Sequence, residues 1–109
     1  MGLNAFTKTG NTVTFTAATS APTPVQCSSS TIGGNQYRII NNGNVTAFLG
    51  YGSTATDATN NATIVSTTGP AFPLLPNTDE ILTFVPNAYF TGITSSGTAT
   101  VYITPGDGL

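Results

Sequence analysis

The segment that most constrains the fold is residues 36–52, QYRIINNGNVTAFLGYG. Two β-prone runs, residues 37–40 and 45–49, flank the polar stretch Asn41-Asn42-Gly43-Asn44. Asn-Gly is the preferred centre of a type I′ hairpin turn, because both central residues of that turn need positive φ. We therefore predict a hairpin with Asn42-Gly43 at its centre, in which Ile40 pairs with Val45 and Tyr37 with Phe48.

Both faces of this predicted hairpin are apolar. One face carries Tyr37, Ile39 and Phe48, and the other carries Ile40, Val45, Ala47 and Leu49. A hairpin with one face in water would alternate apolar with polar residues. The pattern predicts a central place in a β-sandwich whose outer side is covered as well, with another chain as a candidate cover.

The rest of the chain contains further short strands. Strict alternation places Val13, Phe15 and Ala17 on the inner side of one strand, and Ala99, Val101 and Ile103 on the inner side of another. Residues 81–85 (ILTFV) are apolar on both faces, which is typical of a central strand. We predict shorter strands at residues 25–27, 63–66 and 89–94, no more than one helical turn within residues 55–62, and a closing turn at residues 105–108.

Seven to nine short strands with turn residues between them predict an all-β fold, an antiparallel β-sandwich. The proline-containing crossings at residues 18–24 and 67–76 favour a jelly-roll-like sandwich, with an Ig-like sandwich as the alternative. We assign residues 12–109 to one domain. Residues 1–11 form an N-terminal arm with Leu3 and Phe6 as apolar anchors, either a short edge strand or an arm that reaches a neighbour.

Composition excludes several function classes. Charged residues make up 6% of the chain, and hydrophobic residues make up 39%, which favours a folded domain over disorder. Lys8 and Arg38 are the only basic side chains, so no basic patch can neutralise nucleic-acid phosphates or an anionic membrane. Without histidine and with Cys27 alone, the chain cannot form a Ser–His–Asp triad, a cysteine cluster for zinc or an internal disulfide.

The carboxylates do not suggest an active site. Asp79 and Glu80 are adjacent, so on a strand they point to opposite faces, and Asp57 and Asp107 stand far from them in sequence. We read all four as solvated loop acids and expect no enzyme activity, no cofactor and no metal. The start of the chain has no apolar targeting segment, so we expect production and use without export.

Arg38 and the tyrosines allow two readings each. The Arg38 stem either packs on the sheet with its head in solvent or on a loop carbonyl, or the head forms an ion pair with a neighbouring subunit. Tyr37, Tyr51, Tyr89 and Tyr102 either lie at the core rim or an interface, or form a platform for stacking carbohydrate.

Three segments resemble small β-structured proteins on the heads of tailed bacteriophages: QYRIINNGNVTAFLGYG, FPLLPNTDEILTFVP and AYFTGITSSGTATVYITPGDG. The resemblance implies a jelly-roll cement (decoration) protein, a virion structural protein that binds the outer face of the major capsid lattice. It implies major capsid protein and sister copies, as a homodimer or homotrimer, as partners, and no catalytic residues. The protein would be made in the host cytoplasm and located on the outer surface of the capsid.

The apolar residues expected at the surface and the resemblance together predict an interface. Residues 1–11, 53–62 and 67–75 are the segments expected to contact capsid or sister subunits. The candidate interface residues are Leu3, Phe6, Tyr37, Arg38, Phe48, Phe72, Leu74 and Leu75. The alternative function is a carbohydrate- or receptor-binding module of a phage tail or fibre.

Overall fold

A computed structural model describes residues 7–8, 10–26, 36–65, 68–84 and 88–107. Within them the chain forms nine strands and one short helix. In chain order these are β1 (Thr7–Lys8), β2 (Val13–Ala17), β3 (Val25–Gln26), β4 (Gln36–Asn41), β5 (Ala47–Gly52), α1 (Ala55–Asn61), β6 (Phe72–Leu74), β7 (Thr78–Thr83), β8 (Tyr89–Ile93) and β9 (Ala99–Asp107).

The strands form two antiparallel sheets packed as a sandwich, which confirms the predicted fold class. In the first sheet, β9 pairs with β4, and β4 pairs with β7 at the edge. The other side of β9 is paired by β2 and then by β1, which continue one another along that edge. The second sheet has the order β3-β8-β5-β6.

The pairing pattern is that of a jelly roll. β2 pairs with β9, β3 with β8, β4 with β7, and β5 with β6. These pairs are nested, as in one long antiparallel hairpin whose tip is the β5–β6 connection. The hairpin is rolled up so that β4 also meets β9 and β5 also meets β8, which gives two four-row sheets.

The predicted hairpin at residues 36–52 is wrong, because β4 and β5 lie in different sheets and do not pair with each other. Residues 42–46 cross from one sheet to the other. A type I′ turn needs positive φ at Asn42 and Gly43, and among the described residues positive φ occurs at Asn77 and Gly97 instead. The polar stretch is therefore a crossing connection.

The buried side chain of Asn41 holds this crossing. Its Nδ2 donates to the carbonyl oxygens of Val45, at 3.0 Å, and Leu74, at 2.9 Å. Its Oδ1 accepts from the Gly43 N–H at 2.9 Å. Since Leu74 belongs to β6 of the second sheet, one amide side chain ties the two sheets together where the chain passes between them.

Several other predictions need correction. The run at residues 81–85 is not a central strand, because β7 ends at Thr83 and lies at the edge of the first sheet. Residues 55–61 form two turns of helix, residues 63–65 form no strand, and residues 105–107 extend β9 where a turn was expected. Within the predicted arm, residues 7–8 are an edge strand on β9, and Leu3 and Phe6 lie outside the described residues.

The inner faces of the two sheets form one core. Alternation is confirmed for β2 and β9, whose inner residues Phe15, Ala17, Ala99, Val101 and Ile103 are all buried. An aromatic cluster lies at the opposite end from Asn41. There the Tyr37 ring meets Phe90 edge-on at 5.0 Å, and Phe84 lies 4.4 Å from Tyr51 between ring centroids.

The second apolar face of β5 is covered by the protein's own helix. Gly50 and Gly52 leave so little room that an added Cβ would lie 2.3 Å from the Ala58 carbonyl oxygen and 2.5 Å from the Asp57 Cβ, respectively. Ala58 on α1 is fully buried. On β5 the cover is therefore α1, which packs into a groove of glycines, whereas the outward face of β4 has no cover among the described elements, and a second chain as its cover stays a prediction.

Candidate interaction surfaces

The predicted interface residues are separated by the fold. Tyr37 and Leu74 are buried in the core, where the Tyr37 hydroxyl accepts the Ala88 N–H at 3.3 Å, so neither belongs to an exposed interface. Phe72 is half-buried and packs against the same core. Arg38, Phe48 and Leu75 remain at the surface and lie on two different faces of the sandwich.

The outer face of the first sheet, here called the threonine face, is built by the outward residues of β2, β9, β4 and β7. The cross-strand register places them as Thr12, Thr14, Thr16, Thr100, Tyr102, Thr104, Gln36, Arg38, Ile40, Asp79, Ile81 and Thr83. The helix α1 packs on β5 and β8 of the second sheet, and no helix or strand of the described residues packs on the threonine face.

The threonine face is less polar than its composition indicates. The Thr12 and Thr104 hydroxyls bond each other at 2.7 Å, and the Thr14 hydroxyl donates to the Val101 carbonyl at 3.0 Å. A hydroxyl that donates within the sheet has no proton left for water or a partner and keeps only its acceptor positions. These threonines therefore add methyl groups to a face that also exposes Tyr102 and Ile81, at 37% and 38%.

Arg38 lies in this face and is paired within its own chain. Its Nη2 donates to Asp79 Oδ2 at 2.8 Å, and both side chains are about half exposed. The Arg38 head thus reaches a carboxylate of its own chain, where solvent or a loop carbonyl was expected, and the ion pair with a neighbouring subunit stays a prediction. Asp79 is a strand residue and not a loop acid. An ion pair so exposed contributes little to folding stability.

A second surface, here called the β6 patch, consists of Phe48, Pro73, Leu75 and Ile93. Phe48 pairs with Pro73 on one side and with Ile93 on the other, so the three form an apolar row across β6, β5 and β8. Phe48 lies between the fully buried Ala47 and Leu49, so its side chain points outward. Leu75 follows β6 and is 61% exposed.

Neither surface brings together the groups that hydrolysis requires. Asp57 lies on α1, Asp79 and Glu80 on β7, and Asp107 at the end of β9. In the part of the chain that the structure describes, no three His, Cys, Asp or Glu side chains are placed to hold a metal ion. Across the same residues, no helix has the length and apolar character needed to cross a membrane.

The tyrosines do not assemble into a stacking platform. Tyr37 is buried, Tyr51 packs against the core beside Phe84, and Tyr102 lies on the threonine face. Tyr89 pairs with Gly52 on the face of the second sheet that α1 covers. Carbohydrate stacking by these four rings together is therefore not supported by their positions.

Sequence reasoning missed three features. The sequence places Asn41 in a predicted turn, although a polar residue on the inward side of an alternating strand indicates a buried hydrogen-bonding group. Gly50 and Gly52, two residues apart on one face of β5, were a signal of close approach by another element. The third feature is that Ile40 and Ile81 lie close together on the threonine face. This depends on the pairing of β4 with β7, for which no local sequence signal exists.

Comparison with protein-family models, with curated proteins and with solved structures finds no match to this chain.

Proposed function

We propose that this protein is a capsid cement (decoration) protein of a tailed bacteriophage. It binds the outer face of the major capsid lattice and stabilises the head. It acts by contact alone, with major capsid protein and sister copies as its partners and the capsid surface as its location.

The observation that carries the proposal is how the fold uses the three segments that resemble head proteins. The first spans β4 and β5, the second β6 and β7, and the third β8 and β9. In each, one strand belongs to the first sheet and the other to the second. The resemblance therefore covers three of the sheet-to-sheet crossings and six of the eight strands of the jelly roll.

The β6 patch is the proposed contact with the capsid. It contains no charged residue, and its most exposed member, Leu75, lies in the segment expected from the sequence to touch the capsid. A patch of four apolar side chains supports only weak binding by a single copy. Many copies on a regular lattice, linked to one another, would gain affinity through avidity.

The direct test mixes purified protein with heads that lack it. We expect saturable binding at a fixed ratio to capsid subunits, and a higher temperature of DNA release than for bare heads. Absence of lattice binding, or binding without any gain in heat resistance, would contradict the proposal.

Leu75→Asp tests the contact surface. Burying a leucine contributes about 1.5–3 kcal/mol, so the substitution should weaken head binding by at least about 10- to 100-fold. Ile64→Asp is the matched control, because Ile64 is also an exposed aliphatic residue, at 42%, but lies outside the patch. Binding constants from sedimentation of heads with labelled protein should separate the two variants, and equal losses would argue against the β6 patch.

A further inference from the structure

Four side chains at the β4–β7 pair, here called the quartet, form a small rectangle on the threonine face, roughly 4.8 Å across the strands and 6.8 Å along them. The register pairs Arg38 directly with Ile81, and Ile40 directly with Asp79. The two charged residues therefore occupy one diagonal, and the two isoleucines occupy the other. Arg38 and Asp79 bond along their diagonal at 2.8 Å.

This arrangement is self-complementary. A two-fold axis that lies in the plane of contact, along the isoleucine diagonal, exchanges the two ends of the charged diagonal. It would bring Arg38 opposite the partner's Asp79 and each isoleucine opposite its own counterpart. Two charges of opposite sign placed in this way attract a second copy, while two like charges would repel it.

We propose that two copies of this chain associate through their threonine faces, with the quartet at the two-fold axis. Because the axis follows a diagonal of the quartet, about 35° from the strand direction, the strands of the two copies cross at roughly 70°. This is nearer to the orthogonal than to the aligned geometry of packed sheets. The quartet lies at the β7 edge of the face, so the threonine methyl groups and the Tyr102 ring lie beside it on the β9 side. This deepens the proposed function by naming the surface that joins sister copies.

The size of the face sets the expected strength of the dimer. Four rows of strands and about five residues per strand give a face of roughly 20 by 17 Å. This is well below the ~800 Å² per partner of a standard stable interface. The dimer should therefore form at micromolar or higher concentration in solution and be favoured where a lattice holds copies close together.

Charge complementation between two variants tests the proposal. Arg38→Asp gives the quartet two carboxylates, and Asp79→Arg gives it two guanidinium groups. Each variant alone should dimerise at least about tenfold more weakly than the natural chain, because like charges face each other across the axis. An equimolar mixture should restore association as a heterodimer, measured by sedimentation equilibrium over a wide range of concentration.

The matched control is Glu80→Arg, which makes the same change of charge at the neighbouring residue of β7. Glu80 pairs with the inward-facing Ile39, so it lies on the opposite side of the strand from the quartet. Dimerisation should be unchanged in this variant. Circular dichroism and thermal unfolding of all three variants establish that each is folded.

Clear outcomes would overturn the inference. The natural chain could stay monomeric at millimolar concentration, form a trimer, or form a dimer that neither quartet substitution weakens. Failure of the equimolar mixture of the two variants to associate would also contradict the inference. A second measurement needs no variant: backbone amide shifts of the natural chain should change with concentration at Arg38, Ile40 and Tyr102 and remain constant in α1.

The test also separates this inference from the proposed function. A chain that dimerises as described but does not bind heads would remove the capsid role and leave the interface in place. If the natural chain is monomeric in solution and the Arg38→Asp variant binds heads as tightly as the natural chain, the proposed interface is wrong and the capsid role remains.

Discussion

Asn41 is the residue on which the crossing between the sheets depends. It is fully buried, and its two donated bonds and one accepted bond use both ends of the amide. The neighbouring Asn42 is exposed, and its backbone N–H reaches the Thr100 carbonyl at 2.8 Å. Two adjacent asparagines of equal chemistry thus have very different structural roles.

Asn41→Ala should destabilise the protein by about 3–5 kcal/mol, because it leaves two carbonyl groups and one N–H without a partner and opens a small cavity. Asn42→Ala is the matched control, and its effect should stay within about 0.5 kcal/mol, because the backbone keeps its hydrogen bond. Denaturant unfolding followed by tyrosine fluorescence measures both free energies of unfolding. Similar values for the two variants would contradict the role given to Asn41.

At the scale of elements, α1 is stabilised by its contacts with the rest of the fold and not by its own helix propensity. Its seven residues, ATDATNN, include few good helix formers, and a helix of this length is not stable alone in water. The Thr54 side chain caps it by accepting the Asp57 N–H at 3.1 Å, and Asn61 donates to the Tyr51 carbonyl at 2.8 Å. The glycine groove of β5 lets the helix approach closely enough to bury Ala58.

Gly50→Ala should therefore displace α1. The added methyl would overlap the Ala58 carbonyl and the Ala62 backbone, and overpacking of this kind costs about 1–3 kcal/mol. Faster hydrogen exchange at Ala58 and Ala62 should accompany the lower unfolding temperature.

Gly69→Ala serves as the control for this substitution. There the new methyl comes closest to the end of the Val65 side chain, at 3.1 Å, and its other neighbours are at ordinary contact distance, in an exposed loop. If both alanine variants unfold alike and exchange in α1 is unchanged, the groove is not what holds the helix.

Edge strands of both sheets carry features that discourage uncontrolled pairing. β6 contains Pro73, which has no N–H to donate to an added strand. β7 carries Glu80 at a position whose partner, Ile39, faces inward. A charge on the inner side of an edge strand opposes extension of the sheet, so association through a sheet face is the more favourable route.

For the whole molecule, nested pairing makes the contacts between distant residues essential. Thr14 on β2 bonds Val101 on β9, 87 positions away. Pairings of this kind form late, because the intervening chain must be ordered first, and they make folding slow. The same nesting places Thr7 beside Asp107, so the two ends of the described chain are neighbours.

A circular permutant exploits this proximity. A two-residue Asn-Gly linker from residue 107 to residue 7, with new ends between the exposed residues Thr68 and Gly69, should keep the jelly roll. Refolding should be severalfold faster than for the natural order, because β9 and β2 become a local hairpin. Stopped-flow refolding measures the rate, and a permutant that folds no faster would contradict the view that closing this pair limits folding.

The sequence alone determined the fold class and the inward faces of β2 and β9. Alternation is a local property, and the burial of every second residue follows from strand geometry whichever strand is the neighbour. The absence of histidine likewise excluded a Ser–His–Asp triad from composition. Among the predicted interface residues, Arg38 and Leu75 are at the surface as expected.

Only the tertiary structure decided which strands pair. The Asn-Gly dipeptide by itself predicts a hairpin, whereas the crossing is held by the Asn41 side chain, which bonds the carbonyl of Leu74, 33 positions away in sequence. For the same reason Tyr37 and Leu74 belong to the core, and α1 covers the second face of β5. The quartet also exists only through the register of β4 with β7. Residues 38 and 79 become neighbours because long-range pairing, which local sequence does not encode, brings them together.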